Sequence, residues 1–155
     1  MADTSKGKKW ENKFKEDWLK TFPNTFLYRL PDQQSGYYGG SSNPCDFLAL
    51  PNNNLLMLEI KAHKGNTFPF SAFPQYDRLV SYKDLPNIRA GVVIWFEEHN
   101  KVVWVSIEEC EKMVKDNKKS INIKMLEDTT YKVVEIPSIK QRVFMKCDYT
   151  MFKDI

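Results

Sequence analysis

Residues 43–64, Asn-Pro-Cys-Asp-Phe-Leu-Ala-Leu-Pro-Asn-Asn-Asn-Leu-Leu-Met-Leu-Glu-Ile-Lys-Ala-His-Lys, restrict the fold more than any other stretch of the chain. Two apolar runs flank Pro51-Asn52-Asn53-Asn54, a turn-forming cluster, and so predict a β-hairpin over 46–50 and 55–62. With Leu50 closing the loop opposite Leu55, Asp46 falls opposite Glu59. Cross-strand neighbours stand about 5 Å apart, and like charges at that spacing repel. A divalent cation between the two carboxylates removes the penalty. Lys61, two residues past Glu59, points to the same face. Two acids and a lysine around a hard cation make a site suited to cutting phosphodiesters. Magnesium takes oxygen ligands and keeps several waters, so Asp46, Glu59 and the Ile60 carbonyl suffice to hold it. Lys61 is then placed to position or deprotonate the attacking water, or to neutralise the scissile phosphate.

The first helix bears on the same site. Residues 6–22 have helical periodicity, and at about 100° per residue from Trp10 the side chains of Phe14, Trp18 and Phe22 share one stripe. Glu11 falls within that stripe, while Lys13, Glu16, Asp17 and Lys20 fall opposite. A carboxylate on a core-facing surface is costly unless paired or metal-bound. Glu11 therefore reads either as an auxiliary acid beside the hairpin or as a first-turn acid favouring the helix dipole.

The remaining elements complete an α/β pattern. Residues 26–30 suit a strand, and 31–44 form a loop rich in Gly, Ser and Gln. Residues 66–73 read as a linker and 74–83 as a helix opened by Pro74. A strong strand at 91–96 turns through Glu97–Lys101 into a second strand at 102–107. Ser106-Ile-Glu-Glu is a capping box for a helix over 107–117. Strand signals over 121–136 are weak, and the last stretch reads as a strand and a short helix. This order predicts one domain over 1–155 with a mixed central sheet flanked by helices.

Composition sets the class of partner. Net charge is +3, from 23 basic and 20 acidic residues, which allows a local basic surface but not a uniformly cationic coat. Lys8, Lys9 and Lys15 on the first helix, with His63, Lys64, Asn66 and Thr67 after the second hairpin strand, are candidates to hold DNA phosphates. Any one of them also fits a solvated charged face. Tyr37 and Tyr38, in the glycine-rich loop, are candidate contacts to unpaired bases, whereas the four tryptophans read as core. Cys45, Cys110 and Cys147 lack zinc or disulfide spacing and suit reduced thiols in the cytoplasm. The polar start is no signal peptide, and no apolar run approaches a membrane span.

The whole constellation resembles the PD-(D/E)xK nuclease superfamily: Asp46, then Glu59-Ile60-Lys61, with Glu11 on the preceding helix. Within it the chain looks like the RecU family of Holliday junction resolvases. That likeness is carried by Gly7-x-x-x-Glu11-x-x-Phe14, Cys45-Asp46-Phe47, Glu59-Ile60-Lys61-Ala62, Asn66-Thr67-Phe68-Pro69-Phe70 and Phe73-Pro74-Gln75, and covers about residues 6–110. It implies a restriction-endonuclease-like core and a homodimer that nicks opposed strands of a four-way junction with Mg2+ or Mn2+. It makes Asp46, Glu59 and Lys61 catalytic and Glu11 an auxiliary acid, with Gln75 and Thr67 as supporting contacts. The family's bacterial members carry a long stalk before the catalytic Asp; only the loop 31–44 stands there in this chain, which suits a compact phage-type member acting in the host cytoplasm. Two other readings share these residues: a restriction-type or repair nuclease of the same fold, and a DNA-binding protein without activity.

Overall fold

The computed structural model describes residues 4–32 and 43–155. Helix α1 (Thr4–Thr21) precedes β1 (Phe26–Arg29) and the hairpin of β2 (Phe47–Leu50) and β3 (Leu55–His63). A short β4 (Thr67–Pro69), α2 (Tyr76–Val80), β5 (Ile88–Phe96), β6 (Lys101–Ser106) and α3 (Ile107–Lys115) follow. The chain ends with β7 (Ser120–Asn122), β8 (Val134–Ile136) and the hairpin of β9 (Ser138–Lys140) and β10 (Met145–Cys147).

The central hairpin has the expected register, with Phe47 opposite Leu58, Leu48 opposite Met57 and Ala49 opposite Leu56. Its turn is an Asx turn in which Asn52 Oδ1 accepts the Asn54 N–H at 2.8 Å. Among the described residues six strands form one sheet in the order β1-β2-β3-β5-β6-β8. Only β3 and β5 run parallel; the other neighbours are antiparallel. The sheet is therefore mixed, and β3 and β5 lie at its centre, which explains why both are apolar on both faces. Leu56, Leu58, Ile60, Val93 and Trp95 pack on one face with Trp10, Phe14 and Trp18 of α1. Met57, Val92, Ile94 and Phe96 pack on the other with Leu79 of α2 and with Ile107, Cys110 and Met113 of α3. All four tryptophans are core residues. Gly91 lies where β5 meets β6: a Cβ there would overlap the Val105 carbonyl and the Trp104 indole.

Ser106 caps α3 as expected, its Oγ accepting the Glu109 N–H at 3.3 Å. Glu109 departs from the capping box, because its Oε1 accepts the Lys132 N–H instead.

Three segments differ from expectation. The linker at 66–73 contains β4, paired with β7 so that Phe68 stands opposite Ile121, both buried. The helix expected over 74–83 is only the five residues of α2, and turns carry the chain on to Leu85 and Pro86. The final stretch is a strand pair, β9–β10, followed by a 3-10 helix at Thr150–Asp154.

Asp17 is also corrected: it is buried, not on the solvated side of α1. Its Oδ2 accepts the Cys147 N–H at 2.9 Å and its Oδ1 the Lys13 ammonium at 2.8 Å. The C-terminal hairpin covers Asp17, while Glu16 and Lys20 on the same side of α1 stay exposed. Among the described residues no helix is long and apolar enough to cross a membrane.

Candidate active site

The geometry starts from the strand crossing. The backbone N–H of Asp46 bonds the Leu58 carbonyl at 3.1 Å, which continues the β2–β3 ladder one residue past Phe47. Its Oδ2 accepts the Ile60 N–H at 2.8 Å. That bond fixes the carboxylate over β3, beside Glu59. The Glu59 side chain is 1 % exposed, and its Oε2 is buried with no donor facing it. Burial first, then the adjoining Asp46 carboxyl, push the Glu59 pKa far above the usual carboxylate range; Lys61 opposes that shift. The Lys61 ammonium stands 4.0 Å from Glu59 Oε1. The negative potential reaches further: burial and then the charges of Glu59 and Asp46 push the Cys45 thiol up to about 12.

These groups open into a cleft of about 300 Å³ lined by Glu11, Asp46, Glu59, Ile60, Lys61 and Gln75, with Gly7, Lys8, Arg29, Asp32 and Ala62 completing its walls. One cleft thus gathers every residue that the sequence assigns to chemistry. Gln75 enters from the residue before α2, and its Oε1 is a second buried oxygen without a partner. Two buried side-chain oxygens without partners, on residues that line one cleft, are what a hard cation, with its shell of waters, would satisfy. Among the described residues no three His, Cys, Asp or Glu side chains are grouped as metal ligands. A cation here would rely on two carboxylates, a backbone carbonyl and water, which is how magnesium is commonly held.

Glu11 sits in the cleft but is already engaged. Arg29 donates to its Oε2 from Nε at 3.1 Å and from the terminal nitrogen at 2.7 Å. Burial and then the Asp46 charge raise the Glu11 pKa, and Arg29 works against both. The same guanidinium reaches Asp32 at 3.1 Å and holds that carboxyl below its ordinary range. Arg29 and Asp32 are the two functional candidates that sequence reasoning missed. Their signal was an arginine in the otherwise apolar strand Phe-Leu-Tyr-Arg-Leu, followed closely by an acid.

The expected DNA contacts divide. Lys8 lines the cleft and pairs with Asp32 at 3.3 Å. Lys9, Lys15 and Lys64 are exposed outside its walls. His63 is half-buried and packs edge-on against Phe68 and Phe96, at ring distances of 5.8 and 6.2 Å. Asn66 bonds His99 at 2.6 Å, and Thr67 is exposed on β4. Tyr37 and Tyr38 lie outside the described residues.

No family model and no curated protein matches the sequence. Among solved structures the chain is similar to Hjc of Archaeoglobus fulgidus, a Holliday junction resolvase from an archaeal hyperthermophile. The TM-score is 0.51 at 19% identity, over 66% of this chain and 78% of that one. The likeness is one of fold, a mixed α/β, restriction-endonuclease-like core, and it does not single out RecU.

Proposed function

We propose that this chain is a metal-dependent, structure-selective DNA endonuclease that resolves four-way junctions. The observation that carries the reading is the Asp46–Glu59 pair: two carboxyls on neighbouring strands, one of them buried with an oxygen that nothing donates to, beside Lys61. A stable fold gains nothing from that arrangement alone. The resolvase-type fold supports the finer reading of a branched substrate.

Asp46, Glu59 and the Ile60 carbonyl would hold Mg2+, or Mn2+ in its place. When bound, such an ion supplies Lewis acidity to the phosphate and lowers the pKa of water. The chain's own residues do the rest. The Ile60 N–H keeps the Asp46 carboxylate from rotating away from β3. Lys61, with its side chain 27% exposed, offers its ammonium to a phosphate entering the cleft or to the attacking water. Gln75 Oε1 accepts a hydrogen bond from that water. Arg29 balances Glu11, so that the acids around the cleft do not all repel the incoming backbone at once.

A homodimer would bring two such clefts to opposed strands of one junction by two-fold symmetry. The RecU-like assignment rests on the segments at 66–70 and 73–75, and the compact phage-type one, with the host cytoplasm as the place of action, on the short stretch 31–44 where the family's stalk would stand.

Cleavage of a labelled four-way junction beside a duplex made from its arms, with Mg2+, Mn2+ or chelator, tests the proposal. The expected result is paired nicking of the junction, dependent on metal. Equal cutting of the duplex favours a restriction-type or repair nuclease. No cutting with either metal favours a DNA-binding protein without activity.

A further inference from the structure

The C-terminal hairpin β9–β10 takes no part in the cleft chemistry, yet the fold fixes it beside the cleft. Phe144 lies between its strands and packs on Trp10 of α1 and Trp95 of β5, at ring distances of 6.2 and 5.7 Å. Trp10 and Trp95 themselves pack at 4.8 Å. In the β3–β5 register Trp95 stands beside Ala62, and Ala62 and Gly7 are part of the cleft wall. The hairpin is thus joined to that wall through Phe144, Trp10 and Trp95.

Its charge is of one sign. From Ser138 to Lys146 the chain carries Lys140, Arg142 and Lys146 and no acid. The Lys140 ammonium lies 5.3 Å from the centre of the Trp95 indole, and that of Lys6 lies 5.4 Å from the same ring. Lys6 has Glu97 beside it. Lys140 is ordered by a 2.8 Å bond to the Val143 carbonyl, but no carboxylate among the described residues pairs with it. Arg142 is exposed at the turn, also without an ion pair among the described residues. Glu97 already offsets Lys6, whereas Lys140 and Arg142 have no carboxylate beside them among the described residues, so their combined positive field is left to attract an anion at the hairpin.

We infer that the β9–β10 hairpin is a second DNA contact, in which Lys140 and Arg142 take backbone phosphates of the duplex arm leaving the cleft past Lys6. The inference rests on the reading of the cleft as a DNA endonuclease site, and extends its footprint to a part of the chain beyond the catalytic motifs. Because phosphates are met there, not base edges, the contact adds affinity without sequence preference.

Anisotropy titration of labelled four-way junction and arm duplex, in chelator and over a range of salt, tests it with the full-length chain. The double variant K140Q/R142Q keeps the side-chain stems and removes both charges. It is expected to bind about tenfold more weakly, with a log–log salt slope shallower by about two, on junction and duplex alike. Its single-turnover cleavage rate at saturating protein stays at the wild-type value, which also shows an intact fold. R142A alone, at an exposed turn position, should lower the slope by about one. Wild-type affinity and slope in both variants would overturn the inference while leaving the cleft reading intact. Absence of any DNA binding by the wild type would overturn both.

Discussion

Glu59 is the side chain whose environment is hardest to explain without a ligand. Burial and the Asp46 carboxyl raise its folded-state pKa far above the ordinary value of 4.5, so the metal-free fold favours the protonated form. The stability tied to that form is fully present below an unfolded pKa of 4.5 and is lost as pH rises toward the folded value. Metal-free wild type is therefore expected to lose more melting temperature between about pH 5 and 8 than Glu59→Gln, which keeps the shape without the charge. Parallel melting curves for the two proteins across that range would contradict this. Lys61 tests the chemistry instead of the fold. Lys61→Met retains the stem and removes the ammonium, so it should slow single-turnover junction cleavage roughly a hundredfold or more with little change in melting temperature. At this scale the sequence was most legible. The pairing of Asp46 with Glu59 followed from a turn and a register, both local properties. Arg29 was not legible, because its partner Glu11 lies 18 residues away on another element, and no periodicity links the two.

Elements were legible where neighbouring segments pack on each other and obscure where distant ones do. The hairpins β2–β3 and β5–β6 and the Ser106 N-cap of α3 come from contiguous sequence and formed as expected, whereas the Glu109 half of the capping box did not. By contrast, β4 exists because Phe68 finds Ile121, and Asp17 is buried because it finds Cys147 across 130 positions. Such pairings are decided by tertiary contact, and strand propensity in short segments is too weak to announce them. Gly91 gives the element scale its test. With the Val105 carbonyl and the Trp104 ring where its Cβ would be, Gly91→Ala must push β5 from β6. Overpacking of this kind costs about 1–3 kcal/mol. Urea unfolding should register that loss, and an unchanged midpoint would contradict the close strand approach.

At the scale of the molecule, the sheet is what makes the cleft. Its strands carry Asp46, Glu59 and Lys61 to one end, α1 brings Glu11 and Lys8, and the turn into α2 brings Gln75. Several elements thus contribute to one concave site. The similarity to an archaeal resolvase covers the layout and not the residues one by one, since identity is 19%. A dimer is the assembly that the proposed reaction requires. Light scattering of the purified chain should give twice the mass of its 155 residues, 18.2 kDa. A monomer at concentrations that support paired nicking would count against coordinated resolution.

The whole account depends on a hard cation held between residues 46 and 59. Crystals soaked in Mn2+ and measured at the manganese absorption edge would locate it directly. The account predicts one strong anomalous peak within coordination distance of an oxygen of Asp46 and an oxygen of Glu59, lost in Asp46→Asn. A protein that cleaves DNA with manganese yet shows its peak elsewhere, or no peak in this cleft, would contradict it.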